Sequence, residues 1–367
     1  MSLAPLASMA VDVQRLGVAL APNGSREESE GILNPASARG RDGTLYLYPR
    51  CVGPGNTSRI GLIEVTGDQP RYVRHGYALE PQEEYEKRTA AGGYGCEDPR
   101  VTYVTALDTY LMAYTAFGPD GPRIAVAQSR DALDWERLGP VDFSAVGRTG
   151  DDKDAAFFPD PVLSPGGVPS LAFYHRPMHR LSSIDGCAAA ELLLARPPNE
   201  REATCIAYVP LTRVLRSRRA LLRPTESAMV LEPGKGWGAV KNGAGTPPVR
   251  LGEGWLSLFH AVDASHGADG GCVGVRYGAG IVVHDPERPH VVRYRSPAPI
   301  MTPDTHEERI GVVSDVVFPT AIDRLDDGRS FDVYYGMADA RIGRARLSLG
   351  VGVAERHAPT QTGAAAD

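Results

Sequence analysis

Gly95-Cys96-Glu97-Asp98-Pro99-Arg100, leading to the strand Tyr110-Leu111-Met112-Ala113-Tyr114, is one of five occurrences of a single pattern in this chain. Each occurrence opens on a proline-bearing step: Asn34-Pro35, Asp98-Pro99, Asp160-Pro161, Thr246-Pro247 and Phe318-Pro319. After a Gly/Asp turn comes a short aromatic strand. The other four are Leu45-Tyr46-Leu47-Tyr48, Leu171-Ala172-Phe173-Tyr174, Trp255-Leu256-Ser257-Leu258-Phe259 and Phe331-Asp332-Val333-Tyr334-Tyr335. Successive prolines lie 64, 62, 86 and 72 residues apart. Self-similarity at a nearly constant interval marks one supersecondary unit that buries its apolar face only by stacking on copies of itself. Short strands and turn residues arranged radially make blades about a central channel. The expected fold is all-β, a five-bladed β-propeller over residues 31–349, with polar strand ends converging on one axial site. Residues 1–30 read as an N-terminal arm, and 350–367, rich in Ala, Thr and Gly, as a frayed tail.

Composition agrees. Gly 41 and Pro 30 in 367 residues exceed the roughly 12% of average usage and suit a chain full of tight turns. A net charge of −6 lacks the basic excess of a general nucleic-acid or membrane binder. No apolar run approaches the ~18 residues of a membrane span. Asp12 and Arg15 interrupt the N-terminal apolar stretch, which argues against a secretory signal. Cys51, Cys96, Cys187, Cys205 and Cys272 show no C-x-x-C pair. This odd, unpatterned set reads as reduced thiols in a cytoplasmic protein, not as a disulfide framework or a zinc site.

Further strands recur within the units, as in Ser58-Arg59-Ile60-Gly61-Leu62-Ile63, Pro122-Arg123-Ile124-Ala125-Val126-Ala127, Tyr277-Gly278-Ala279-Gly280-Ile281-Val282 and Ala340-Arg341-Ile342-Gly343-Arg344-Ala345. Turns such as Arg41-Asp42-Gly43 join neighbouring strands as hairpins. The 86-residue interval is attributed to an insertion at about 178–235, whose basic run from Arg213 to Arg223 reads as a solvated face.

Chemistry is expected where the polar ends meet. By unit these are Asn34 and Arg50; Glu97, Asp98 and Arg100; Lys153, Asp154, His175 and Arg176; Lys241 and His260; Asp315 and Asp339. Asp98 follows a glycine-rich approach, Gly92-Gly93-Tyr94-Gly95, which lets backbone and ligand come close. Lys153, Arg176 and Lys241 face it as a surplus of cations, with His260 as a fourth group that is either a ligand or a packed core histidine. Cations aimed at one point repel unless an anion sits there, and Arg and Lys are the usual phosphate binders. Inverting cleavage of a glycosidic bond requires a general acid and a nucleophile on the opposite face of the sugar. Water as nucleophile needs a second carboxylate as base; inorganic phosphate arrives already anionic. One carboxylate facing many cations therefore suits phosphorolysis.

These residues resemble glycoside hydrolase family 130. The resemblance rests on Glu97-Asp98-Pro99-Arg100, Lys153-Asp154-Ala155-Ala156-Phe157-Phe158-Pro159, Tyr174-His175-Arg176-Pro177, Gly245-Thr246-Pro247-Pro248 and Tyr334-Tyr335-Gly336-Met337-Ala338-Asp339, and covers about residues 31–349. It implies an inverting β-mannoside phosphorylase on a five-bladed propeller. It further implies Asp98 as general acid, its proton passing through a hydroxyl of the bound mannose. Lys153, Arg176, Lys241 and His260 would hold phosphate; Asn34, Arg50 and Asp339 would hold the mannosyl unit, with Phe318 as a wall. Lys153 stands where many phosphorylases of the family carry Arg, which keeps the charge and loses the bidentate fork.

Plainer readings stand beside these. Glu97 and Arg100 read as an ion pair fixing the turn, and His175 as a hydrogen-bonded strand residue with Arg176 pointing the opposite way. Tyr114 and Trp255 read as inter-blade core. Two other functions fit the chain: an inverting β-mannosidase using Glu226, Glu232, Asp154 or Asp315 as base, and a non-catalytic sugar-binding propeller. No metal is expected, since no His/Cys/Asp set has ligand spacing; phosphate is a co-substrate rather than a cofactor. The expected partners are a small oligosaccharide, phosphate and possible further copies of the chain.

Overall fold

A computed structural model describes residues 6, 8–67, 69–88, 92–179, 181, 186–234, 236–268 and 270–350. The expected tail, from 351 onward, lies outside them. The chain is all-β in its framework, and its strands fall into five antiparallel groups. The first holds β2 (Gly31–Arg39), β3 (Leu45–Gly53), β4 (Thr57–Thr66) and β5 (Arg71–Leu79), preceded in the chain by β1 (Val11–Leu20). The second holds β6 (Tyr94–Val104), β7 (Thr109–Gly118), β8 (Gly121–Ser129) and β9 (Glu136–Pro140). Two parallel pairs, Thr57 with Tyr94 and Ser58 with Gly95, join these two groups into one sheet. The third holds β10 (Asp152–Phe157), the short β11 (Val162–Leu163), β12 (Pro169–Pro177), β13 (Thr204–Pro210) and β14 (Glu226–Leu231). The fourth holds β15 (Lys241–Ala244), β16 (Val249–Leu251), β17 (Gly254–His266), β18 (Cys272–His284) and β19 (Val292–Arg295). The fifth is β20 (Val317–Arg324), β21 (Ser330–Met337) and β22 (Arg341–Leu349), with β1 paired to β22 along its outer edge.

Every aromatic strand expected from the sequence lies on the second full-length strand of its group, and the further strands lie on β4, β8, β18 and β22. The groups cohere through apolar side chains that face the next group. Tyr48 and Ile60 pack with Met112 and Tyr114 between the first and second groups. Leu111 and Val126 pack with Phe173 and Val209 between the second and third. Phe158, Tyr174 and Tyr208 meet Trp255 between the third and fourth, and Leu258 and Ile281 meet Phe331 and Val333 between the fourth and fifth. Tyr334 and Ile342 of the fifth return to Ile32 and Leu47 of the first. Full burial of one such side chain stabilises by roughly 1.5–3 kcal/mol, so these contacts dominate the association of the groups. Tyr114 and Trp255 belong to this core: the Tyr114 hydroxyl donates to Glu86 and the Trp255 indole to the Pro286 carbonyl.

Three expectations change. Residues 1–30 are not only an arm, because β1 completes the fifth group and leaves β22 with a partner on both sides. The stretch 178–235 is not wholly an insertion. Its β13 and β14 are the outer strands of the third group, and the added chain is helical: α1 (Gly186–Leu194) and α2 (Leu211–Arg216). The basic run lies on α2 and the following turn, where Val214 and Leu221 are buried beneath it. Finally, Cys187 at the start of α1 and Cys272 at the start of β18 form a disulfide, while Cys51, Cys96 and Cys205 are buried free thiols. These partners are 85 residues apart, so no local spacing could reveal them, and the cysteine ground for a cytoplasmic location falls. No helix among the described residues is long and apolar enough to cross a membrane.

Candidate active site

The site begins as a backbone irregularity repeated on the first strand of three groups. Pairing of β2 with β3 skips between Leu33 and Ala36, of β6 with β7 between Glu97 and Arg100, and of β10 with β12 between Lys153 and Ala156. At each bulge one residue takes the left-handed conformation: Asn34 (φ 42°), Asp98 (φ 45°) and Asp154 (φ 61°). Asn and Asp are among the few side chains that tolerate it, and a bulge re-aims the side chain it carries. The third bulge thus falls at Asp154-Ala155, while Asp160-Pro161 lies between β10 and β11. The neighbouring second strands deliver their C-terminal halves: Arg50 opposite Leu33, Arg176 opposite Lys153, and His260 opposite Gly243. A side chain at Gly243 would collide with both Asp154 and His260.

Asp98 is the hub. Its Oδ1 accepts the Asn34 side-chain amide at 2.9 Å and lies 3.4 Å from an Arg50 guanidinium nitrogen. Burial pushes its carboxyl upward, but the charges of Arg50, Lys153 and Arg100 and the Asn34 hydrogen bond outweigh it and hold the group below the usual carboxylate range. Asp339, just past β21 and also left-handed (φ 50°), goes the other way: burial, with Asp98 adding repulsion against the pull of Arg50, raises it to about 6. Two carboxyls in one site are thus driven apart in acidity by their surroundings.

The turn contacts differ from the expected ion pair. Glu97 does not pair with Arg100; it accepts Arg50 at 3.0 Å and Lys153 at 2.9 Å. Arg100 is fully buried and donates to the carbonyls of Asp98, Ala244 and Gly245, tying the second group to the fourth. His175 behaves as expected, held between Asp152 and Ser227 at 2.8 Å each.

On the far side, Arg176 donates through Nε to Asp154 at 2.6 Å and through its terminal nitrogen to Glu202 at 2.5 Å. The Lys241 ammonium lies 3.9 Å from the same Glu202 oxygen. Arg176 is held above its ordinary range: burial opposes its charge, but the Asp154 and Glu202 carboxylates win. Asp154 is driven well below the carboxylate range, Arg176 overcoming the effect of burial. His260 is not a cation here. Burial lowers its imidazole to about 3 despite Asp154 at 3.6 Å, and its Nδ1 has no hydrogen-bond partner among the described residues. Its ring packs on Phe318 with centroids 4.3 Å apart, and the Arg100 guanidinium lies over that same Phe318 ring at 5.6 Å.

The expected residues therefore share one contact network, with Asp339 joined through the charges of Arg50 and Asp98. The expected charge balance does not hold. Arg50, Arg100, Lys153, Arg176 and Lys241 stand against Glu97, Asp98, Asp154, Glu202 and Asp339, so the cations already have counter-charges. Glu202 was absent from the sequence reading because it lies in the stretch taken for an insertion. The hydrogen bond from the Asn242 amide to its carbonyl, at 3.1 Å, together with those from Thr204 to the Asn242 side chain at 3.0 and 2.8 Å, brings that stretch beside Lys241. Of the alternative bases, Asp154 belongs to this network, whereas Glu226 is spent on Ser164 and Gly166 in a turn. No group of residues suited to holding a metal ion occurs among those described.

The site is thus a buried carboxylate set among paired cations on an all-β framework. The sequence profile of glycoside hydrolase family 130, described as beta-1,4-mannooligosaccharide phosphorylase, matches residues 56–183 and 222–350, and the chain belongs to this family. A 1,2-beta-oligomannan phosphorylase of Thermoanaerobacter sp. (strain X514) is 28% identical over 258 residues, covering 70% of this chain and 69% of that protein. Among solved structures, the beta-1,2-mannobiose phosphorylase of Listeria innocua, in complex with beta-1,2-mannobiose, is similar with a TM-score of 0.68 and 20% identity, over 92% of this chain and 97% of that one. A further structure is similar with a TM-score of 0.67 and 21% identity, over 94% and 96% of the two chains. It is described as showing that the family of mannoside phosphorylases contains glycoside hydrolases that target beta-1,2 mannosidic linkages in Candida mannan.

Proposed function

We propose that this protein cleaves a β-mannoside by phosphorolysis with inversion, giving α-mannose 1-phosphate and a shortened acceptor. Family membership and the activity of the Thermoanaerobacter relative support the reaction class. The observation that carries the reading is Asp98, held by Asn34 and Arg50 within the same network as Lys153, Arg176 and Lys241. In this reading Asp98 is the general acid, and Asn34, Arg50 and Asp339 hold the mannosyl unit against Phe318. Lys153, Arg176 and Lys241 hold phosphate, with neutral His260 beside them as a hydrogen-bonding ring. Asp98 is ionised in the free site, so it takes up its proton as ligands arrive. A phosphate anion on the nearby cations offsets the field that depresses it, and a bound sugar excludes water; both raise its pKa.

The framework of this reading is a five-bladed propeller over residues 31–349 with β1 closing the fifth blade. It is supported by the cores between consecutive groups, including the one between the fifth and the first. On a ring the first strands lie nearest the axis, where Asn34, Asp98, Lys153 and Lys241 stand.

Hydrolysis is the second reading, favoured by one observation: Asp154 lies against Arg176 where the nucleophile is assigned. A carboxylate held so far below its usual range is a weak base, which is why phosphorolysis is preferred. Incubating the protein with mannobioses of defined linkage, with and without phosphate, tests the choice. The expected product is α-mannose 1-phosphate, formed only with phosphate; equal release of free mannose in phosphate-free buffer would assign a hydrolase.

A further inference from the structure

Glu202 is 2% exposed and fixed from three sides. One carboxylate oxygen lies 2.5 Å from Arg176 and 3.9 Å from Lys241. The other accepts the His179 amide at 3.2 Å, and the Glu202 carbonyl accepts the Asn242 amide at 3.1 Å. We propose that Glu202 makes the anion pocket selective for a protonated oxyanion, inorganic phosphate or arsenate, over the fully ionised sulfate. This rests on the assignment of Arg176 and Lys241 as phosphate ligands.

An anion that bridges Arg176 and Lys241 meets the Glu202 oxygen already placed between them. Nearby charge does not relieve the encounter. Arg176 also carries Asp154 at 2.6 Å, and His260, 3.6 Å from that same Asp154 oxygen, is neutral because of its burial. Two anionic oxygens in contact repel strongly in a water-poor site. A phosphate that keeps one proton turns this contact into a hydrogen bond, its P–OH donating to the carboxylate. Sulfate has no proton to give. A site built to accept a substrate hydroxyl rejects an analogue that lacks it by large factors, because the buried acceptor is left unpaired.

The test is steady-state phosphorolysis with phosphate varied and sulfate as competitor, on wild type and Glu202→Gln, with thermal melting of both. In the wild type the sulfate inhibition constant should exceed the phosphate KM by about a hundredfold or more. In Glu202→Gln, whose amide donates where the carboxylate accepted, this ratio should fall about tenfold or more, through weaker phosphate and tighter sulfate binding. The wild-type ratio decides the matter even if the variant does not fold. Sulfate inhibition near the phosphate KM in wild type, or an unchanged ratio in a stable variant, would overturn this inference while leaving phosphorolysis intact. Cleavage indifferent to phosphate would overturn both.

Discussion

The side-chain amide of Asn34 donates to Asp98 Oδ1 at 2.9 Å across 64 positions of sequence, and both residues are left-handed at equivalent bulges of adjacent strand groups. This bond helps keep Asp98 ionised in the free site. Asn34→Gly, which keeps the backbone conformation and removes the donor, should raise the Asp98 pKa. The alkaline limb of the kcat/KM profile should therefore move to higher pH; an unmoved limb would show that Asn34 does not tune the acid.

Asp98→Asn preserves shape and removes the proton donor. General acid catalysis is worth about 10²- to 10⁴-fold, so turnover should fall by that order while mannoside binding, followed by calorimetry, persists. Near-normal turnover would exclude Asp98 as the acid.

Two of the assigned phosphate ligands, Arg176 and Lys241, should respond differently to truncation. Arg176→Ala strands Asp154 and Glu202, both buried, and breaking a buried ion pair costs about 3–5 kcal/mol. That variant should melt much lower. Lys241 contacts Glu202 only at 3.9 Å and keeps 22% of its side chain exposed. Lys241→Ala should raise the phosphate KM about ten- to a hundredfold with little change in melting temperature or mannoside binding. An unchanged phosphate KM would remove Lys241 from the pocket.

Asp339 should make stability depend on pH in a stated direction. Its folded pKa of about 6 lies above the unfolded value of about 4. Its favourable contribution is therefore complete below about pH 4 and is lost as pH rises through about 6. Asp339→Asn, which tolerates the left-handed backbone, should gain melting temperature over wild type as pH rises from 4 to 8. A difference independent of pH would contradict the shift.

Reduction should loosen the molecule where α1 meets β18. Disulfides closing loops of this size stabilise by about 2–4 kcal/mol, so Cys187→Ser should lower the denaturant midpoint. Titration of the unfolded, unreduced protein should find three free thiols; five would show that the Cys187–Cys272 bond does not form.

What was legible in the chain follows from what is local. Proline steps, turn pairs and aromatic strands repeat at intervals set by one structural unit, so the strands and the residues near their polar ends could be listed from sequence. Asn34, Asp98 and Asp154 also carry their conformational signal locally, because few other side chains accept the left-handed bulge. The Asp160-Pro161 step had the right composition and the wrong place, since a proline in a turn and a bulge inside a strand look alike until hydrogen bonds are assigned.

Tertiary structure decided what depends on distance and burial. Strand β1 belongs to the last group because β22 needs a partner, and β13 and β14 belong to the third because β12 does; neither need is written in the segments themselves. Glu202 becomes the counter-charge of Arg176 and Lys241 only when its loop is drawn to β15. His260 loses its charge because the core removes its water. The sequence alone named an acid among cations, whereas the folded chain paired those cations with carboxylates, because charges so deeply buried are stable only when balanced.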